Sequence, residues 1–200
     1  MRMAPLTLLV SAALLAGRPA TSAAQVITIA PGLGAFIPAS GLRELRTEAE
    51  ERQLERAATL GVGVNVETRW VRGSVAYATG ATLTDRGVTN LGDVGDGSVL
   101  AAAADFVWRP LPRFGLQPYL LGGGGIKRQD YSYDDEQFEN VFPAEKTDFT
   151  VHFGLGADLW LGGIGIMAEV TDFLSPKADD SLGQHDAFML VGLRYRLGGT

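Results

Sequence analysis

The sequence predicts an all-β fold: an eight-stranded, antiparallel, up-and-down β-barrel that crosses a membrane and follows a signal peptide. Three observations predict it. Segments of about 10 residues alternate apolar and polar side chains, the length a tilted strand needs to cross a bilayer. The connections alternate long and short, as in a meander whose long loops gather at one end. The charges of the strands lie on the face opposite the apolar one and nearly balance.

The chain starts with Met1-Arg2-Met3, an apolar run from Ala4 to Ala16, and the small residues Ser22-Ala23-Ala24. That pattern reads as a signal peptide over 1–24, too short for a spanning helix, with the barrel domain over 25–200. Removing it takes away Arg2 and Arg18 and no acid, so the net charge moves from −6 to near −8. An acidic chain without a basic cluster argues against nucleic acid as a partner. Cysteine is absent, which excludes disulfides and thiolate metal sites. Glycine, 26 of 200 residues, is well above its usual share of roughly 7%, which suits tight turns and a crowded interior.

The strands are expected at 26–37, 59–70, 74–84, 98–109, 116–127, 147–160, 164–173 and 186–197. Pro31 places part of the first at a strand end or bulge. The stretch "LGVGVNVETRW", Leu60 to Trp70, shows the period-two pattern most clearly. The connections 38–58, 85–97, 128–146 and 174–185 are long; 71–73 and 161–163 are short, and 110–115 is intermediate. Long and short segments therefore sort to opposite ends.

The faces decide which medium lies where. The outward sets are Leu60, Val62, Val64, Val66; Val75, Tyr77, Ala81, Leu83; Leu100, Ala102, Ala104, Phe106; Phe149, Val151, Phe153, Leu155, Leu159; Ile164, Ile166, Ala168, Val170; and Met189, Val191, Leu193, Leu197. None is charged. The opposite faces carry Glu67, Arg69, Asp105, Lys127, Asp148, His152, Asp158, Glu169, Arg194 and Arg196. A soluble barrel would hold such charges outside, where no balance is needed. Near-balance predicts a polar lumen in which charges pair, because an unpaired buried charge is costly. Arg194 and Arg196 should both point inward, with Glu169 on the neighbouring strand and Asp158, Asp105 and Glu67 across the lumen. Trp70, Trp108 and Tyr195 have outward parity and close strands that run the same way. They are expected to form an aromatic girdle at the short-turn end.

The remaining motifs read as surface features. Ser40 to Ala58 is rich in helix formers and is expected as a solvated loop helix. The acids of 128–146 match no calcium-loop spacing, and "GDVGDGS" with Asp93 and Asp96 reads as a turn cluster, so no metal or other cofactor is expected. A Ser181, His185 and Asp186 site is chemically conceivable, but adjacent residues of an extended chain point opposite ways. No enzyme activity is expected. His152 is read as a satisfied lumen residue.

The segments "FMLVGLRYRL", "QPYLLGGGGI" and "FGLGADLWL" resemble the small outer-membrane β-barrel domain superfamily, with OmpA-like, OmpX-like and OmpW-like members. The resemblance covers about 25–197. It implies a monomer in the bacterial outer membrane, exported through the signal peptide and inserted by the outer-membrane assembly machinery among lipid and lipopolysaccharide. The function expected is structural, or surface interaction through long extracellular loops. The alternatives are a narrow conduit or binding site for small hydrophobic molecules, and a soluble periplasmic ligand-binding barrel.

Overall fold

The computed structural model describes residues 26–38, 43–46, 51–85, 92–111, 115–134, 144–176 and 182–197. All ten elements in them are strands: β1 Ile27–Pro38, β2 Arg43–Arg46, β3 Glu51–Arg56, β4 Thr59–Glu67, β5 Val71–Asp85, β6 Gly92–Trp108, β7 Leu116–Tyr133, β8 Glu145–Leu161, β9 Ile164–Pro176 and β10 Leu182–Leu197. Eight of them close a barrel in the order β1-β4-β5-β6-β7-β8-β9-β10, every pair antiparallel, with β10 returning to β1. The two short strands, β2 and β3, form a hairpin that prolongs the wall where β3 pairs with Leu83–Asp85 of β5.

Register sets the shape of this barrel. Partners followed once around, from Thr28 through Glu67, Arg72, Asp105, Gly123, His152, Phe173 and Asp186, return to Pro38. Eight strands staggered by that amount tilt about 40° and leave roughly 16 Å between opposite backbones, which side chains can fill. The interior is therefore a packed core.

Alternation then sorts the residues. Leu60, Val62, Val64, Phe149, Leu155, Ile166 and Val191 stand exposed on the outer wall, while Asn65, Asp105, Lys127, Asp158 and Arg194 are buried inside. Along β8 the exposed apolar row runs from Leu161 to Phe149, about 30 Å along the barrel axis, close to the hydrocarbon thickness of a bilayer. Water does not favour such a wall; lipid does. The outer wall also carries a pair absent from the expected faces, Asp172 and His185, with Oδ2 and Nδ1 2.7 Å apart.

Four expectations are corrected. Ala81 and Leu83 point inward, because Gly80 (φ 74°) sits in a bulge of β5 that shifts the register by one and reverses the parity beyond it. The helix expected in 40–58 is a hairpin in its described parts: pairing with the exposed edge of β5 outweighs local helix propensity. "GDVGDGS" is the start of β6 and no turn. The strands also continue past their expected ends, so the connections at that end shrink to 86–91, 134–144 and 177–181, beside the hairpin.

Candidate functional site

Among the described residues the lumen is where this chain concentrates charge, and it is layered. Nearest the short turns lie Glu67, Arg72, Asp158, Glu169 and Arg194, all buried, with Arg109 half-buried at the mouth. Each reaches the same level from a different strand because the stagger lifts successive strands past one another. Arg72 donates from Nε and Nη2 to Oε2 of Glu67 at 3.1 and 3.0 Å, and from Nη1 to Glu169. Arg194 donates from Nη1 to both carboxylate oxygens of Asp158 at 2.9 Å, and its Nη2 lies 2.9 Å from Oε2 of Glu67. Arg109 joins Oε1 of Glu67 at 2.5 Å and Oδ2 of Asp158 at 3.5 Å. Three arginines thus meet three acids. The Tyr119 hydroxyl donates to Glu169 at 2.6 Å, and its ring lies 4.9 Å from the Arg72 guanidinium. That ring needs space, and Gly156 supplies it: a Cβ there would collide with Tyr119.

Above this network His152 is stacked on Phe173, centroids 4.9 Å apart, and its Nε2 lies 3.1 Å from Oδ1 of Asp105. Phe36, Phe173 and Phe188 then fill the middle of the barrel with Ala76, Ala78, Val99 and Ala101. The Phe36 and Phe173 rings each approach Phe188, at 5.0 and 5.5 Å between centroids. A second polar layer, at the loop end, holds Arg56, Lys127, Gln129, Ser175, Gln184 and Asp186, all buried.

The expected lumen charges divide accordingly. Glu67, Asp158, Glu169 and Arg194 are in the short-turn network, Asp105 lies just above it, and Lys127 belongs to the loop-end layer. Of the partners expected for Arg194, Asp158 and Glu67 across the lumen engage it, whereas Glu169 on the neighbouring strand engages Arg72. Arg69 is outside the lumen. β4 ends at Glu67, so Arg69 lies exposed in the turn with its guanidinium 5.0 Å from the Trp70 ring. Arg196 keeps its inward parity but is exposed at the mouth, 3.6 Å from the ring of Trp160. Trp70, Trp108 and Tyr195 are exposed at 44%, 50% and 38%, at the level of the short turns; Trp70 also stacks on Phe106 at 5.8 Å.

Arg72, Arg109, Arg56 and Asp186 are members that the expected network lacks. The expected turn at 71–73 takes in Arg72, yet the parity of Val75 and Tyr77 carried back to Val71 sends it inward. Asp186 faces Arg56 and Lys127 inside while His185 faces Asp172 outside, so the two do not act together with Ser181, which lies beyond the described residues. Among the described residues no group of three or more potential metal ligands gathers. What the lumen can do is hold charge in place and close the barrel's bore.

No family profile matches the sequence. A comparison with curated proteins finds no match either. By structure the chain is similar to the outer membrane protein OprG from Pseudomonas aeruginosa, with a TM-score of 0.59 at 14% identity over 88% of this chain and 97% of that one. A major outer membrane protein from Thermus thermophilus is matched with a TM-score of 0.48, at 10% identity over 88% and 100% of the two chains. Neisserial surface protein A gives 0.45 and 10% over 88% and 98%. The likeness to OprG shows the fold, a small closed barrel of eight antiparallel strands.

Proposed function

We propose that this chain is an integral protein of the bacterial outer membrane, a barrel with a plugged bore whose work is done at its loop end. The role would be structural or one of surface interaction. One observation carries this reading: the wall is apolar outside over about the thickness of a bilayer, while three arginines and three acids are locked together inside. A soluble barrel with this wall would aggregate, and an open pore would leave these charges in water. The fold likeness to an outer membrane protein supports the location, and the signal-peptide pattern of residues 1–24 supports export. The short turns 68–70 and 162–163 then face the periplasm, and the β2–β3 hairpin and 134–144 face the exterior.

Fractionation with a gel-shift assay tests the reading. The protein should partition with detergent-extracted outer membrane and migrate differently before and after boiling. Protease added to intact cells should cut within 40–58 or 134–144 and spare 162–163. Purified protein in a planar bilayer should show no stepwise conductance. Recovery in the periplasmic extract without detergent would overturn the location, and steady ion currents would overturn the plug.

A further inference from the structure

We infer that the loop-end layer of the lumen is a binding site for one small oxyanion group, a carboxylate or a phosphate, held between Arg56 and Gln129. The starting point is an unfinished ionic layer. Arg56 and Lys127 both bond to Asp186: Nη2 of Arg56 lies 2.5 Å from Oδ1, and Lys127 Nζ donates to Oδ2. Lys127 also donates to Ser175 Oγ at 2.7 Å, and Gln184 Nε2 donates to Asp186 at 3.5 Å. All three charged side chains are fully buried. Lys146 and Asp148, which face the same end, pair with each other at 2.9 Å and cancel. Counting only the side chains paired here, Arg56, Lys127 and Lys146 against Asp186 and Asp148, cations exceed acids by one.

The unengaged atoms point the same way. Nε and Nη1 of Arg56 and Nε2 of Gln129 are buried donors without a partner, while the layer's other unengaged atom, the acceptor Oδ2 of Asp148, has the Lys146 ammonium 2.9 Å away. Gln129 Oε1 already accepts from the Tyr131 hydroxyl, so only its NH2 group remains. Buried donors beside an uncompensated cation complement an acceptor that carries a single negative charge. A water molecule satisfies the donors and leaves the charge; an oxyanion satisfies both. The Phe36 ring, 5.2 Å from the Arg56 guanidinium, belongs to the apolar layer that closes the site from below.

The test uses the purified full chain folded in detergent, with sodium acetate and sodium phosphate as probes, each against sodium chloride at matched ionic strength. The readouts are the temperature at which the heat-modifiable form is lost and the Gln129 side-chain amide signal by NMR. A saturable rise of several degrees and a shifted amide signal are expected with at least one probe. Acetate alone would name a carboxylate, phosphate alone a phosphate, and both an oxyanion of either source. Arg56→Gln should abolish both responses, because it removes the surplus charge while Asp186 keeps Lys127. Gln129→Leu retains the charge and removes one donor, so the apparent Kd should rise about tenfold. A response equal to that of chloride in the native chain overturns the site, as does an undiminished response in either variant.

Discussion

The two polar layers of the lumen are built from the same residue types and differ in completeness. At the short-turn end every carboxylate meets an arginine, and Glu67 alone is shared by Arg72, Arg109 and Arg194. At the loop end Arg56 and Lys127 share one acid, Asp186, and donors remain unengaged. The first layer keeps one buried donor without a partner, Nε of Arg194, but its three arginines and three acids balance. Its charges are fixed by one another, and removal of a member strands a buried partner. The second can lose a cation and come closer to balance. One lumen thus holds a seal and a receptive layer, with the Phe36, Phe173 and Phe188 rings between them.

The largest expected effect breaks the seal. Arg72→Ala removes the cation bonded to Glu169 and one of three on Glu67, and should destabilise the barrel by about 3–5 kcal/mol, read from urea unfolding in detergent. A loss under about 1 kcal/mol would mean that water reaches this layer and that the contrast is false. On the opposite side of the wall, Leu155→Arg should cost roughly 2–4 kcal/mol and lower the amount reaching the membrane, because the cation meets lipid. Normal insertion of that variant would place water outside.

A double-mutant cycle probes the seal more finely. Arg72→Ala with Glu169→Ala should couple by about 0.5–3 kcal/mol, as the two touch. Arg194→Ala with Glu169→Ala should couple less, since Glu67 and Arg72 lie between them. Equal coupling in the two cycles would make the layer one undivided unit. The smallest effect belongs to the receptive layer: Arg56→Gln in chloride should change stability by no more than about 1 kcal/mol, since Asp186 retains Lys127. A loss as large as that of Arg72→Ala would show both layers to be equally closed.

Much of this is legible in the sequence, because alternation in a barrel is read directly from parity. Val64 outward and Asp158 inward follow from period two, and the same parity separates His185 from Asp186. Which of the candidate partners is engaged is not legible. Arg194 meets Asp158 and Glu67 because of the stagger between strands, and stagger is a property of closure that no single strand encodes. Parity itself fails at Gly80, where the bulge reverses Ala81 and Leu83, although a glycine within a strand is a warning of such a break. The 40–58 region fails for another reason. Its Glu- and Arg-rich composition favours a helix locally, and the exposed edge of β5 recruits Leu54–Arg56 of it into the wall.

The pairing of β1 with β10 has a consequence in time. Thr28 lies beside Arg196, so the first barrel strand made by the ribosome must wait for the last before its second edge is satisfied. Until then both rims of the curved sheet offer unpaired amides and carbonyls, in a chain whose outer face already shuns water. Closure is a contact between distant parts of the chain and is slow for that reason. A chain truncated before Leu182 would keep seven barrel strands and two permanent edges, and its fate would be set by whatever guards those edges during delivery.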